Sequence, residues 1–172
     1  MLEVIFSHGK ESGPWGTKIR QLADTAQALG CQVASLDYRD SMDPDVRAGR
    51  LATYLADKVP QRTLLVGSSM GGYVTLQASK QFAAAGVFVL APAIYMPGYE
   101  HNAPSSALHN LVIVHGWQDR IIPVEHSIQF AQQQQCTLHL LDDDHRLIEH
   151  LPTIDAWFKQ FVERTLANLS AC

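Results

Sequence analysis

Short apolar runs alternate along this chain with longer stretches in which apolar residues recur every three or four positions. The runs Leu2 to Phe6, Gln32 to Tyr38, Arg62 to Val66, Val87 to Leu90, Leu111 to Val114 and Thr137 to Leu141 read as buried strands. Between the first two, Ile19, Leu22, Ala23, Ala26 and Leu29 keep helical spacing and Gly30 is placed to end the helix. Asp43-Pro44 is a helix start, an N-cap acid followed by proline at the first helical position. Ala48, Leu51, Ala52, Leu55 and Val59 form the apolar face of that helix, and Pro60 stops it. Further helices are predicted from Tyr73 to about Ala84, from Pro123 through Ala131, and from Pro152 to Leu169 with Ile154, Trp157, Phe158, Phe161 and Leu166 inward. Strands alternating with helices specify an α/β fold: a parallel sheet of about six strands with helices on both faces.

Length and charge narrow this picture. A chain of 172 residues suits one domain, taken as 1–172. The charged fraction of 17% is below the usual ~25%, as expected for a sheet covered on both faces. The net charge of −4, with no run of Lys and Arg, argues against a nucleic-acid partner. No apolar stretch is long enough for a membrane span, and Met1 to Phe6 lacks the basic start of a signal peptide, so the expected compartment is the cytoplasm. Cys31, Cys136 and Cys172 have no metal-site spacing and read as two buried small residues and one at the tail. Nothing in the pattern specifies an oligomeric state.

The chemistry concentrates at Gly67-Ser68-Ser69-Met70-Gly71, between the apolar run Leu64-Leu65-Val66 and a helix. A G-x-S-x-G sequence between strand and helix has the form of a nucleophile elbow, with Ser69 at the apex and Ser68 as a small filler. A serine hydroxyl needs a base to take its proton and an acid to orient that base. Asp119 follows the fifth strand and His145 follows the sixth, so both fall on the sheet edge where Ser69 emerges. Glu125 is the fallback acid, and His150, His126 and His115 are the rival bases. His8 and His115 stand at strand ends and read as loop-shaping residues, while His139 lies mid-strand in packing. Asp142-Asp143-Asp144 invites a metal reading, but neighbouring side chains diverge and no calcium-loop pattern follows. The run reads as a solvated loop in which Asp144 helps place His145. No metal and no cofactor is expected.

Taken together, His8-Gly9 after the first strand, the elbow, and the paired loops Gly116-Trp117-Gln118-Asp119 and Asp144-His145 resemble the α/β-hydrolase family over nearly the whole chain. The resemblance implies a catalytic triad of Ser69, Asp119 and His145, with an oxyanion hole made by the backbone N–H groups of Lys10 and Met70. It also implies departures from the fuller fold: two leading strands are absent, and the loop from Ala91 to Ala107 is too short for a cap domain. The expected activity is serine hydrolysis of a small-molecule carboxylic ester or thioester. Trp15, Tyr38, Tyr95, Met96, Trp117 and Ile121 are the candidate walls of the acyl pocket. A non-catalytic binding protein on the same fold, or an acyltransferase using the same triad, are the alternatives.

Overall fold

The computed structural model describes residues 1–100 and 108–170. Residues 101–107 of the Ala91-to-Ala107 loop, and Cys172, lie outside the described residues. Six strands alternate with helices: β1 (Glu3–Ser7), α1 (Thr17–Ala28), β2 (Gln32–Leu36), α2 (Pro44–Leu55), β3 (Thr63–Ser68), α3 (Met70–Ala78), β4 (Gly86–Leu90), β5 (Leu111–Gly116), α4 (Val124–Gln134), β6 (Thr137–Leu141) and α5 (Leu151–Ser170). All pair in parallel, in the order β2-β1-β3-β4-β5-β6. The order reverses direction at β1, which is flanked by β2 on one side and β3 on the other. Loops leaving β1 and β3 therefore diverge to opposite faces and open a crevice between them.

Period-2 alternation sorts the strand side chains between two cores. Val4, Phe6, Leu64, Val66, Phe88, Leu90, Val112 and Val114 face α1 and α5, where Phe158 packs on Phe6 and Phe88. Ile5, Leu65, Val87, Val89 and Ile113 face α2, α3 and α4. Both faces are covered, which is why the central strands read as continuous apolar runs. Among the described residues no cap domain covers the sheet edge, and no helix is long and apolar enough to cross a membrane.

Several expected boundaries move. Helix α2 ends at Leu55, leaving Val59 exposed, and Pro60 instead opens a short 3₁₀ turn, Pro60–Arg62. Helix α3 stops at Ala78, short of Ala84. Ser79 Oγ turns back to donate to the Thr75 carbonyl, and the Ala85 N–H donates to Pro60 and Thr63, drawing the chain into β4. Strand β2 ends at Leu36 because the Tyr38 N–H is taken by His8 rather than by the sheet. Cys31 is buried, but Cys136 is only half-buried.

Removing an aromatic that packs α5 on the sheet should be costly. Phe158→Ala is expected to lower unfolding stability by about 3–5 kcal/mol, read as a fall in the urea midpoint. A change below about 1 kcal/mol would contradict the packing described.

Candidate active site

The β3–α3 turn is held by steric limits on both sides of Ser69. A Cβ on Gly71 would stand 1.9 Å from the Ser7 carbonyl oxygen, and one on Gly67 would stand 2.2 Å from the Gly71 carbonyl oxygen. Only glycine fits either place. Ser69 itself has φ 55° and ψ −118°, a region L-residues rarely occupy and which costs on the order of 1–3 kcal/mol. The surroundings hold it there: its N–H donates to Leu90, and its carbonyl accepts from Gly72, Tyr73 and Ala93. Ser68 is buried, and Ser69 is half-buried with its hydroxyl at the crevice.

Three loops on the same edge converge there. His145 Nε2 lies 3.0 Å from Ser69 Oγ, and His145 Nδ1 lies 2.7 Å from Asp119 Oδ2. A carboxylate only accepts, so Nδ1 carries the proton and Nε2 is left to accept from the serine hydroxyl. The Asp119 carboxylate is fully buried. Burial alone would raise its pKa, but hydrogen bonds from His115, His145 and the Ile122 and Ile121 N–H groups outweigh that and hold it well below the usual carboxylate range. Oδ1 accepts from Ile121 and Ile122, each at 2.8 Å, which also closes the turn ahead of α4. A helix-leading cap and a hold on His145 are therefore one arrangement, each oxygen serving one of them.

His115 does more than shape its loop. It is wholly buried, and its Nε2–H is shared between Asp119 Oδ2 at 3.0 Å and the Ile122 carbonyl at 3.1 Å. Its Nδ1 accepts from Ser127 Oγ at 2.7 Å. The acid thus stands between two imidazoles, one fixed and one facing Ser69. His8 is likewise buried: Nδ1–H donates to the Gly9 carbonyl at 2.7 Å, and Nε2 accepts from the Tyr38 N–H at 2.9 Å. That pairing fits a neutral ring, and burial lowers its pKa further.

The other candidates lie elsewhere. Glu125 is exposed in the first turn of α4. His126 bonds the Ile94 carbonyl, His139 stacks on Trp157, and His150 bonds Asp143 just ahead of α5. Asp143, rather than Asp144, organises the acidic loop: it is buried and accepts from the N–H groups of Asp144 and His150. Asp144 closes a tight turn by accepting from the Arg146 N–H, and Asp142 faces Gln118. The three carboxylates diverge.

An open cleft of about 800 Å³ surrounds Ser69 and His145. Met96 and Ile121 line it, but Trp15, Tyr38, Tyr95 and Trp117 do not. Tyr38 is fully buried behind the β1 loop with its hydroxyl on Ser7. Tyr95 packs on His126 and Phe130 and bonds Gln133, while Trp15 and Trp117 are exposed on the outer surface. Sequence reasoning missed Lys18, Ile148 and Arg146, which do line the cleft. Lys18 carried a signal: a cation in the first turn of α1 opposes the helix dipole and has no local reason to be there.

Lys10 also lines the cleft, and Met70 follows Ser69 directly. Among the described residues neither backbone N–H donates to any acceptor.

The fold is that of a small α/β-hydrolase, with no lid among the described residues. A protein of Xanthomonas campestris pv. campestris assigned to the α/β-hydrolase superfamily superposes with a TM-score of 0.86 at 29% identity, covering 95% of this chain and 99% of that one. A lidless α/β serine hydrolase from Xanthomonas campestris superposes with a TM-score of 0.68 at 21% identity, covering 94% and 81%. A methylesterase from Arabidopsis does so with a TM-score of 0.70 at 19% identity, covering 95% and 99%. The chain belongs to an uncharacterised protein family, UPF0227, whose pattern matches residues 3–110. No curated protein matches it.

Two outcomes follow from this geometry. Gly71→Ala should destabilise the fold by about 3 kcal/mol or more, since the intruding methyl meets backbone rather than a yielding side chain. A urea midpoint equal to wild type would refute the close approach. Burial pushes the Lys18 amine down to about 8 from its ordinary 10.5, with Asp119 and Asp144 opposing the shift. Between about pH 8 and 10 the unfolded chain holds this proton and the folded chain does not, so wild-type stability should rise with pH relative to Lys18→Met. Urea midpoints at pH 7, 8.5 and 10 check this, and a wild-type midpoint that falls with pH relative to Lys18→Met would contradict it.

Proposed function

We propose that this chain is a serine hydrolase that cleaves a small carboxylic ester or thioester through an acyl-enzyme on Ser69. The observation that carries the reading is the continuous line of hydrogen bonds from Ser69 Oγ to His145 Nε2 at 3.0 Å and from His145 Nδ1 to Asp119 Oδ2 at 2.7 Å. Its strained elbow, and the α/β-hydrolase fold it shares with a lidless serine hydrolase and a methylesterase, support it.

In this mechanism His145 takes the Ser69 proton as Oγ attacks the acyl carbonyl. The tetrahedral oxyanion is met by the Lys10 and Met70 N–H groups. His145 then passes the proton to the departing alcohol or thiol, and the acyl group stays on Ser69. Water, activated by the same imidazole, attacks the acyl-enzyme and releases the acid. Asp119 stays ionised throughout, holding the His145 tautomer and balancing the imidazolium.

Ser69→Ala should abolish hydrolysis of p-nitrophenyl acetate and butyrate, a loss on the order of 10⁶ in turnover, while the urea midpoint holds. A fluorophosphonate probe should label Ser69 in wild type and give no adduct in the variant. Hydrolysis retained in Ser69→Ala would sink the mechanism, and a wild type that takes no probe would point to a binding protein.

A further inference from the structure

Helix α2 carries an arginine on its apolar face. Arg47 falls one turn before Leu51 and two before Leu55, and its side chain is wholly buried. A guanidinium taken out of water costs several kcal/mol unless something compensates it, and it stays charged. Among the described residues it makes no ion pair with a carboxylate. Its donors go to backbone carbonyls instead. Nε donates to Ser41 at 2.7 Å, Nη1 to Gly9 at 3.1 Å, and Nη2 to Lys10 at 3.3 Å, with the His8 carbonyl 3.5 Å from Nη1. The Tyr38 ring packs 5.5 Å from the guanidinium carbon.

The loop after β1 is therefore gripped from behind by one cation. The direction of the grip matters. In a trans peptide the C=O of one residue and the N–H of the next point opposite ways. With the Gly9 carbonyl turned toward Arg47, the Lys10 N–H is turned away from it, toward the crevice that Lys10 lines. The His8 Nδ1–H holds the same Gly9 carbonyl at 2.7 Å, so the peptide is fixed twice. A positive charge at the oxygen end of this peptide dipole also polarises it, making its N–H end a stronger donor in a low-dielectric interior.

We propose that Arg47 is the positioning residue of the oxyanion hole, orienting the Gly9–Lys10 peptide from its buried side and lending positive potential to the oxyanion formed on Ser69. The role rests on the hydrolase reading above and goes beyond it. A neutral substrate carbonyl gains little from this charge, whereas the tetrahedral oxyanion gains much, so the effect belongs to the transition state.

The test compares wild type, Arg47→Gln and Arg47→Lys on p-nitrophenyl butyrate and on a phenylboronic acid, whose adduct with Ser69 is a tetrahedral anion. Arg47→Gln should lose about 100-fold in kcat with KM within about 3-fold, and its boronate affinity should fall in parallel. Arg47→Lys, which keeps a charge without the planar fork, should recover part of both losses. In wild type the Lys10 amide proton should move downfield when the boronate binds, a readout that needs no variant to fold. Three results would overturn the proposal alone: kcat and boronate affinity within about 3-fold of wild type in folded Arg47→Gln, a kcat loss with boronate affinity unchanged, or no Lys10 amide shift in a wild type that binds the boronate. A wild type that neither cleaves esters nor takes a fluorophosphonate at Ser69 would overturn the hydrolase reading and this proposal with it.

Discussion

The structure turns on one close approach, that of Gly71 at the start of α3 to the Ser7 carbonyl at the end of β1. The two backbones stand so near that a single methyl group would sit 1.9 Å from that oxygen. This contact joins two adjacent strands exactly where their loops part to opposite faces of the sheet, at the reversal of strand order around β1. It brings the Lys10 loop beside Ser69, and it forces the turn after β3 to be tight enough to hold Ser69 at φ 55°. The backbone strain there is offset by hydrogen bonds to both of Ser69's peptide groups, which tie it to β4 and to the first turn of α3. The β3–α3 turn and the loop after β1 are in this sense one packed unit.

The opposite wall is built by polar rather than steric means. Asp119 is buried with two imidazoles and two backbone N–H groups around its carboxylate. Desolvating a carboxylate is expensive, and this count of donors is what keeps it charged. The neighbouring acidic loop is bound to the same edge, since Gln118 N–H donates to the Asp143 carbonyl at 3.0 Å and Trp117 N–H to Leu141 at 2.8 Å. His145 leaves that loop already aimed. Its position comes from Asp143 anchoring the turn to His150, with Asp144 tightening it afterwards.

How much of this was legible in the sequence varied with the range of the interaction. Strand and helix identity was legible because burial on both sheet faces writes itself into local apolar runs. The trio Ser69, Asp119 and His145 was legible because a parallel sheet delivers every βα loop to one edge, so chain order alone brought them near each other. Helix ends were less so: α3 stops at Ala78 because Ala85 is drawn to Pro60 and Thr63, distant residues that no local pattern announces. The acyl-pocket aromatics failed for a related reason. Tyr38 sits beside the right loop in sequence, but its N–H is claimed by His8 and its ring turns inward against Arg47. Arg47 itself carried a readable sign, a charge at the spacing of Leu51 and Leu55 on an apolar stripe, which only long-range carbonyls could explain.

A site with no cap among the described residues sets its own physical demand. Where a lid would exclude water, donors gain strength from a low dielectric, whereas an open cleft of about 800 Å³ gives them less of that help. What an open site can still use is preorganisation of groups buried behind its surface, where solvent does not screen them. His115 and Arg47 are both wholly buried: His115 shares Asp119 Oδ2 with His145, and Arg47 holds the Gly9 carbonyl of the loop that lines the cleft. On the proposed mechanism one supports the carboxylate that balances a cation, and the other supports the peptide that meets an anion. On that mechanism the charge is kept dry at the back while the edge at Ser69 stays open, which reconciles a small fold, uncapped among its described residues, with catalysis by fixed dipoles.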